Sequence, residues 1–148
     1  MATFVMAFGI ATTIVAMQSG FKTIDVARGT TIASQILQSE MERLRLMSWT
    51  TITALSTATD TTAPYPSGSP AGVEMFDGAT YFSSSADVAN KYTITRTVAA
   101  DSTRPSDVFN ITISVRWQSY DLRWHTRSFT TMYAKNGLYD YYYTLARP

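Results

Sequence analysis

The residues best suited to chemistry gather in RWQSYDLRWHTR at 116–127, where cationic and aromatic side chains interleave. Guanidinium and imidazole groups beside indole rings can stack on bases and pair with phosphate, so nucleic acid or a surface glycan is the ligand class this stretch points to. If Tyr120-Asp121 forms a two-residue turn, Trp117 lies opposite Trp124, Arg116 opposite His125 and Arg127 opposite Ser114. Arg116, His125 and Arg127 then share the solvent face, with Arg123 at the turn as a further cation, while Trp117 and Trp124 point into the core. On that register the indoles turn away from the arginines, and a buried tryptophan pair behind a solvated basic face is the competing reading. Phe129 falls out of phase with Trp124, which implies a bulge or a strand covered on both faces.

The rest of the chain offers little convergent chemistry. The single histidine, His125, has no acidic or nucleophilic partner at a recognisable spacing, and the absence of cysteine removes disulfides, thiolate metal sites and cysteine nucleophiles. Asp60, Glu74, Asp77 and Asp87 are scattered without the spacing of a cation-binding loop. No nucleophile elbow and no glycine-rich phosphate loop is present. Asn110-Ile111-Thr112 has the form of a glycosylation sequon but sits inside a strand pattern. No catalytic residue, metal or cofactor is assigned, and the chain reads as a non-enzymatic protein. A net charge of +1 provides no global field for nucleic acid or anionic lipid. At 148 residues the chain makes one domain, or a small domain with an appendage.

The elements that must carry these residues begin with an uncharged run, MATFVMAFGIATTIVAMQSGF, ahead of Lys22. Twenty or so apolar residues can cross ~30 Å of hydrocarbon. This run lacks the basic start of a secretory signal, and Thr3, Thr12, Thr13, Gln18 and Ser19 dilute it as a lipid-facing span. A helix buried among like helices explains the dilution better, because small residues permit close approach. Met1, Phe4, Val5, Phe8, Gly9, Ile10, Ile14, Val15 and Met17 are its packing residues. From Ile32 onward, Ile32, Ile36, Leu37, Met41, Leu44 and Trp49 recur at roughly helical spacing, with Gln38, Glu42 and Arg45 on the other side. One helix is therefore expected from residue 1 to about 50, with its second half packed on a domain and its first half projecting.

Residues 51–90 are rich in Thr, Ser, Ala, Gly and Pro and read as a long surface connection, with a short strand or turn near Val73–Phe82. Strands follow in YTITRTV (92–98), in VFNITISVRW (108–117) and over about Leu122–Tyr133, and Asn136-Gly137 is a favoured turn pair before a last short segment. Short connections make these an antiparallel meander packed on the amphipathic half of the helix, an α+β architecture. Trp117 and Trp124 join Ile32, Ile36, Leu37, Met41 and Leu44 in the expected helix-to-sheet core.

An apolar N-terminal helix running into ARGTTIASQILQSEMERLR, then Ser48-Trp49, a variable loop and a meander ending in TTMYAKNGL, resembles the type IV pilin and pseudopilin superfamily, nearest its minor-pilin branch. The resemblance implies an apolar helix over 1–24 and a globular head over 25–148. The head divides into an amphipathic helix over 25–50, a variable loop over 51–90, and a sheet and tail over 91–148. It implies a structural subunit of an extracellular pilus or pseudopilus on the cell surface, held in the inner membrane before assembly. Its partners would be copies of itself or other pilins, with a prepilin peptidase and assembly machinery. The alternative is a filament-borne or membrane-tethered module binding DNA or surface glycan through Arg116, Arg123, His125 and Arg127.

The family's basic leader is not in the sequence, which fits a mature chain. The family's N-terminal glutamate is also missing, with Thr3 standing about where it would fall. Either the subunit belongs to the minority without that acid, or the natural start lies elsewhere. The family often melts locally in the apolar helix, and Gly20 with the β-branched pair Thr12-Thr13 marks where loosening is expected.

Overall fold

The computed structural model describes residues 2–59, 70–78, 81, 90–135 and 137. Helix α1 runs from Ala2 to Arg45 and helix α2 from Trp49 to Thr57. Strands β1 (Val73–Asp77), β2 (Tyr92–Ala100), β3 (Val108–Gln118) and β4 (Trp124–Ala134) form one antiparallel sheet in chain order. The molecule is thus the expected α+β arrangement, a long N-terminal helix followed by an antiparallel meander. Met1 and the tail after Gly137 lie outside the described residues, as does Asn136 of the expected turn.

At 44 residues, α1 is roughly 66 Å long at ~1.5 Å per residue. Only its second half meets the sheet. Ala33, Ile36, Leu37, Met41 and Leu44 are buried against Ile94, Val98, Ile111, Ile113, Val115 and Trp117, with Ile32 at the margin. Gly29 lies under the Trp117 ring, and a Cβ there would meet the indole Nε1 at 2.4 Å. At the far end of β3, the Trp49 ring packs 5.0 Å from that of Phe109, and the Tyr133 hydroxyl donates to the Met47 carbonyl. Gly29 to Arg45 spans about 24 Å of helix, with Met47 just beyond it, and Trp117 to Phe109 spans about 27 Å of strand. β3 therefore lies along α1 from Gly29 to the end of the helix.

Helix α1 ends at Arg45 rather than near residue 50. The Leu46 amide is shared between the Glu42 and Arg43 carbonyls, and the Met47 amide closes on Leu44. Ser48 is extended (φ −76°, ψ 159°) and its hydroxyl accepts the Thr51 amide, so it caps a second helix. The connection expected over 51–90 thus contains α2 and β1. In α2 the hydroxyls of Thr53, Ser56 and Thr57 donate to carbonyls within the same helix. Fully buried Ile52 and partly buried Leu55 anchor it to the core. Gly72, at φ +79°, joins α2 to the sheet: its amide donates to Ala58 and its carbonyl accepts from Val98. A Cβ there would strike the Val98 carbonyl oxygen at 2.2 Å.

The loosening expected near Thr12, Thr13 and Gly20 is not seen in the single chain, where α1 is continuous. Both threonine hydroxyls donate to the Gly9 carbonyl, at 2.9 and 2.8 Å, so they bond within the helix instead of opening it.

The β3–β4 register also differs from expectation. The ladder pairs Trp117 with His125 and Gln118 with Trp124, so residues 119–123 form a five-residue connection. Buried Ser119 organises it: its amide donates to the Arg123 carbonyl, its carbonyl accepts from Leu122, and its hydroxyl donates to Asp121. Leu122 takes a left-handed conformation at φ +62°. A slip of one residue sends every side chain of β4 to the opposite face. Trp124 accordingly lies on the outer face and is 55% exposed, so it is not a core residue. The same slip gives Phe129 its place opposite Ile113 on the helix side, without a bulge.

Candidate functional site

Most of the exposed large apolar side chains among the described residues stand on the first half of α1. Phe4, Val5, Met6, Phe8, Ile10, Ile14, Val15 and Met17 are all exposed, from 51% at Ile14 to 82% at Phe4. They are distributed around the helix rather than along one stripe, a pattern that belongs to a buried or membrane-spanning helix. The helix is long and apolar enough to cross a membrane, and its most apolar window has a mean hydropathy of 1.6. Gly9 and Gly20 have no neighbouring atom within 4 Å where a side chain would stand, leaving flat patches for close approach. The Thr12, Thr13 and Thr23 hydroxyls donate to carbonyls of the same helix, which reduces the penalty of placing them in an apolar medium.

Where α1 joins the sheet, a buried ionic cluster replaces apolar contact. Glu40, fully buried, accepts two bonds from Arg43 at 2.8 and 2.6 Å, one from Arg96 at 2.8 Å and one from the Tyr81 hydroxyl at 2.7 Å. Arg96, 3% exposed, also pairs with Glu74, and its guanidinium lies 5.8 Å from the Phe76 ring centroid. Burial pushes the Glu40 carboxyl up, but the bonds from Arg43, Tyr81 and Arg96 outweigh it and hold the group below the usual carboxylate range. Burial first, then the bond to Glu40, pushes the Tyr81 hydroxyl up. The signal was present in the sequence: Glu40 falls on the apolar stripe four residues from both Ile36 and Leu44, and Arg96 alternates with Tyr92, Ile94 and Val98 on the buried face of β2.

The expected basic face does not assemble. Arg116 lies on the outer face, its guanidinium 4.3 Å from the Trp124 ring centroid. His125 faces the helix side, stacked on Trp117 with ring centroids 5.4 Å apart, its Nε2 3.0 Å from the Ser119 hydroxyl. Arg127 also points that way and donates to Ser34 of α1 at 2.9 Å. Arg123 stands at the connection, 3.4 Å from Asp121. The one-residue slip therefore divides Arg116, Arg123, His125 and Arg127 among three directions. Among the described residues, no group of three or more His, Cys, Asp or Glu side chains converges on a point.

A contact not anticipated from the sequence ties the β3–β4 connection to α1. Asp25 accepts the Tyr120 amide at 2.8 Å and lies 3.4 Å from Lys91 Nζ. The Tyr120 amide, and after it Lys91, hold the Asp25 carboxyl below its usual range despite partial desolvation. Only the one acidic residue in the first half of the head's helix marks this junction in the sequence.

Comparison with known proteins returns no match, whether to a family model, a curated protein or a solved structure.

Proposed function

We propose that this chain is a non-enzymatic structural subunit of an extracellular filament of the pilus or pseudopilus type. The observation that carries this reading is α1 itself, a continuous helix whose first half is apolar on all sides and whose second half is fused to a folded head. Lipid covers residues 2–24 before assembly, and the same residues of neighbouring subunits cover them afterwards. Burial of surface that would otherwise meet water contributes about 25 cal/mol per Å² to that association. Repetition of one head-to-tail contact extends such an assembly without closing it. Because α1 is continuous in the single chain, loosening across Thr12, Thr13 and Gly20 is retained only as a prediction for the assembled fibre, and unbroken helix there would remove it from the reading.

The test is electron microscopy of the purified full chain as detergent is withdrawn. Long uniform fibres are expected. Monomers or amorphous clumps under all withdrawal conditions, with the head still folded, would overturn the subunit role.

A further inference from the structure

We propose that the β3–β4 connection is a second membrane contact, which seats the head on an anionic bilayer surface while α1 spans it. The inference rests on the membrane-held state proposed above and adds a surface to it.

Position comes first. The Asp25–Tyr120 bond of 2.8 Å fixes the connection beside α1 at the point where the helix leaves the head. A cleft below it is lined by Gln18, Phe21, Lys22, Asp25 and Tyr120, so Tyr120 reaches the level of the last apolar turns. From Ala2 to Phe21 the helix rises about 30 Å, the thickness of a hydrocarbon core. With that segment across the membrane, Phe21 and Tyr120 stand at the boundary with the headgroups.

Chemistry agrees with position. Tyr120 is 84% exposed, Leu122 74% and Trp124 55%, large side chains outside the head's core, with Arg116 lying over the Trp124 ring on the outer face. Tyrosine and tryptophan favour the bilayer interface, where one end of the ring is wet and the other apolar. Leu122 holds a left-handed backbone that glycine or asparagine would adopt more easily, and its side chain is presented outward rather than packed. Among the described residues, Lys22, Arg28, Lys91, Arg116 and Arg123 stand around this end, with Asp25 and Asp121 against them. Both carboxylates are already engaged locally, Asp25 by the Tyr120 amide and Lys91, and Asp121 by Ser119 and Arg123. The surplus cations suit anionic headgroups.

The chain has no cysteine, so Leu122→Cys introduces a unique thiol for an environment-sensitive fluorophore. The full chain is reconstituted in vesicles of phosphatidylcholine and phosphatidylglycerol. The label should emit at shorter wavelength and be quenched by iodide at least threefold less than the same label at Thr103→Cys, on the β2–β3 connection at the opposite end of the sheet. Adding Arg116→Glu and Arg123→Glu should restore quenching to the Thr103 level. Full quenching at 122 while a Val15→Cys label stays shielded would overturn the seat and leave the anchor standing. Full quenching at both would overturn the anchor and the seat together. Shielding at 122 in fibres but not in vesicles would make the tip a subunit contact and overturn the proposal.

Discussion

Residues 2–24 and 29–45 of α1 continue one helix, yet their polar groups go to different places. In the first half, the Thr12, Thr13 and Thr23 hydroxyls donate to carbonyls of the helix itself. In the second half the Thr31 and Ser34 hydroxyls also donate within the helix, but here Glu40 accepts from Arg96 on β2, and Ser34 accepts from Arg127 on β4. The threonines of the first half therefore need no partner outside the helix, and this half can exchange one apolar surrounding for another. The second half is bound to one sheet by the bonds from Arg96 and Arg127. Secondary structure alone would not separate these regions, because the backbone is helical through both.

The largest test of this contrast is Glu40→Ala. It leaves Arg96 buried with one counter-ion fewer, and loss of one partner from a buried ion pair costs about 3–5 kcal/mol. Urea unfolding of the full chain in non-ionic detergent, followed by tryptophan emission, should show a fall of that order. The same cluster sets a pH dependence. Because the folded Glu40 pKa lies below the ordinary glutamate value of about 4.3, its contribution is present above that pH and lost as pH falls through the lower folded value. Glu40→Gln should flatten the acid limb of stability, and an unchanged limb would assign acid sensitivity to other groups.

Ile14→Lys probes the other half. A lysine at the middle of a membrane span costs about 2.5–3.5 kcal/mol on an insertion scale. The membrane-retained fraction after alkaline extraction should drop sharply, while the unfolding midpoint of the head stays the same. An equal loss of head stability would mean the two halves are not independent.

Gly29→Ala comes next, since it decides between two opposed effects at the seam. Helix propensity alone would stabilise by up to ~1 kcal/mol, whereas the new methyl would stand 2.4 Å from the Trp117 indole nitrogen, and moving the ring aside should destabilise by about 1–3 kcal/mol. Net destabilisation in the same urea assay is expected, and a gain would show that Trp117 moves aside freely. Ser48→Ala is the smallest change, removing the α2 cap for about 1 kcal/mol. Its effect should be confined to α2 and visible as faster amide exchange over Trp49–Thr57.

Much of the architecture was legible because its periods are simple. The alternation of Phe109, Ile111, Ile113, Val115 and Trp117 along β3, and the stripe from Ile36 to Leu44, each bury as their spacing requires. Helix α2 was hidden by composition: WTTITALST is rich in β-branched residues and resembles a strand or loop until its hydroxyls are seen bonding within the helix. The tight turn read at Tyr120-Asp121 failed for a different reason. Nothing in the sequence marks Leu122 as left-handed or Ser119 as the buried centre of a five-residue loop, and a one-residue error there moved Trp124, His125 and Arg127 to the wrong faces. The Glu40–Arg96 bond could have been inferred, since two opposite charges lie on two faces otherwise reserved for the core.

The alignment of β3 with α1 also has a mechanical consequence. A pull along the helix axis loads the seam from the Trp117–Gly29 contact to the Tyr133–Met47 bond in shear, so its contacts share the force instead of failing one after another. Resistance to such a pull is governed by the unfolding rate rather than by equilibrium stability. The head is attached to its helix along a line parallel to the direction in which a fibre would be stretched.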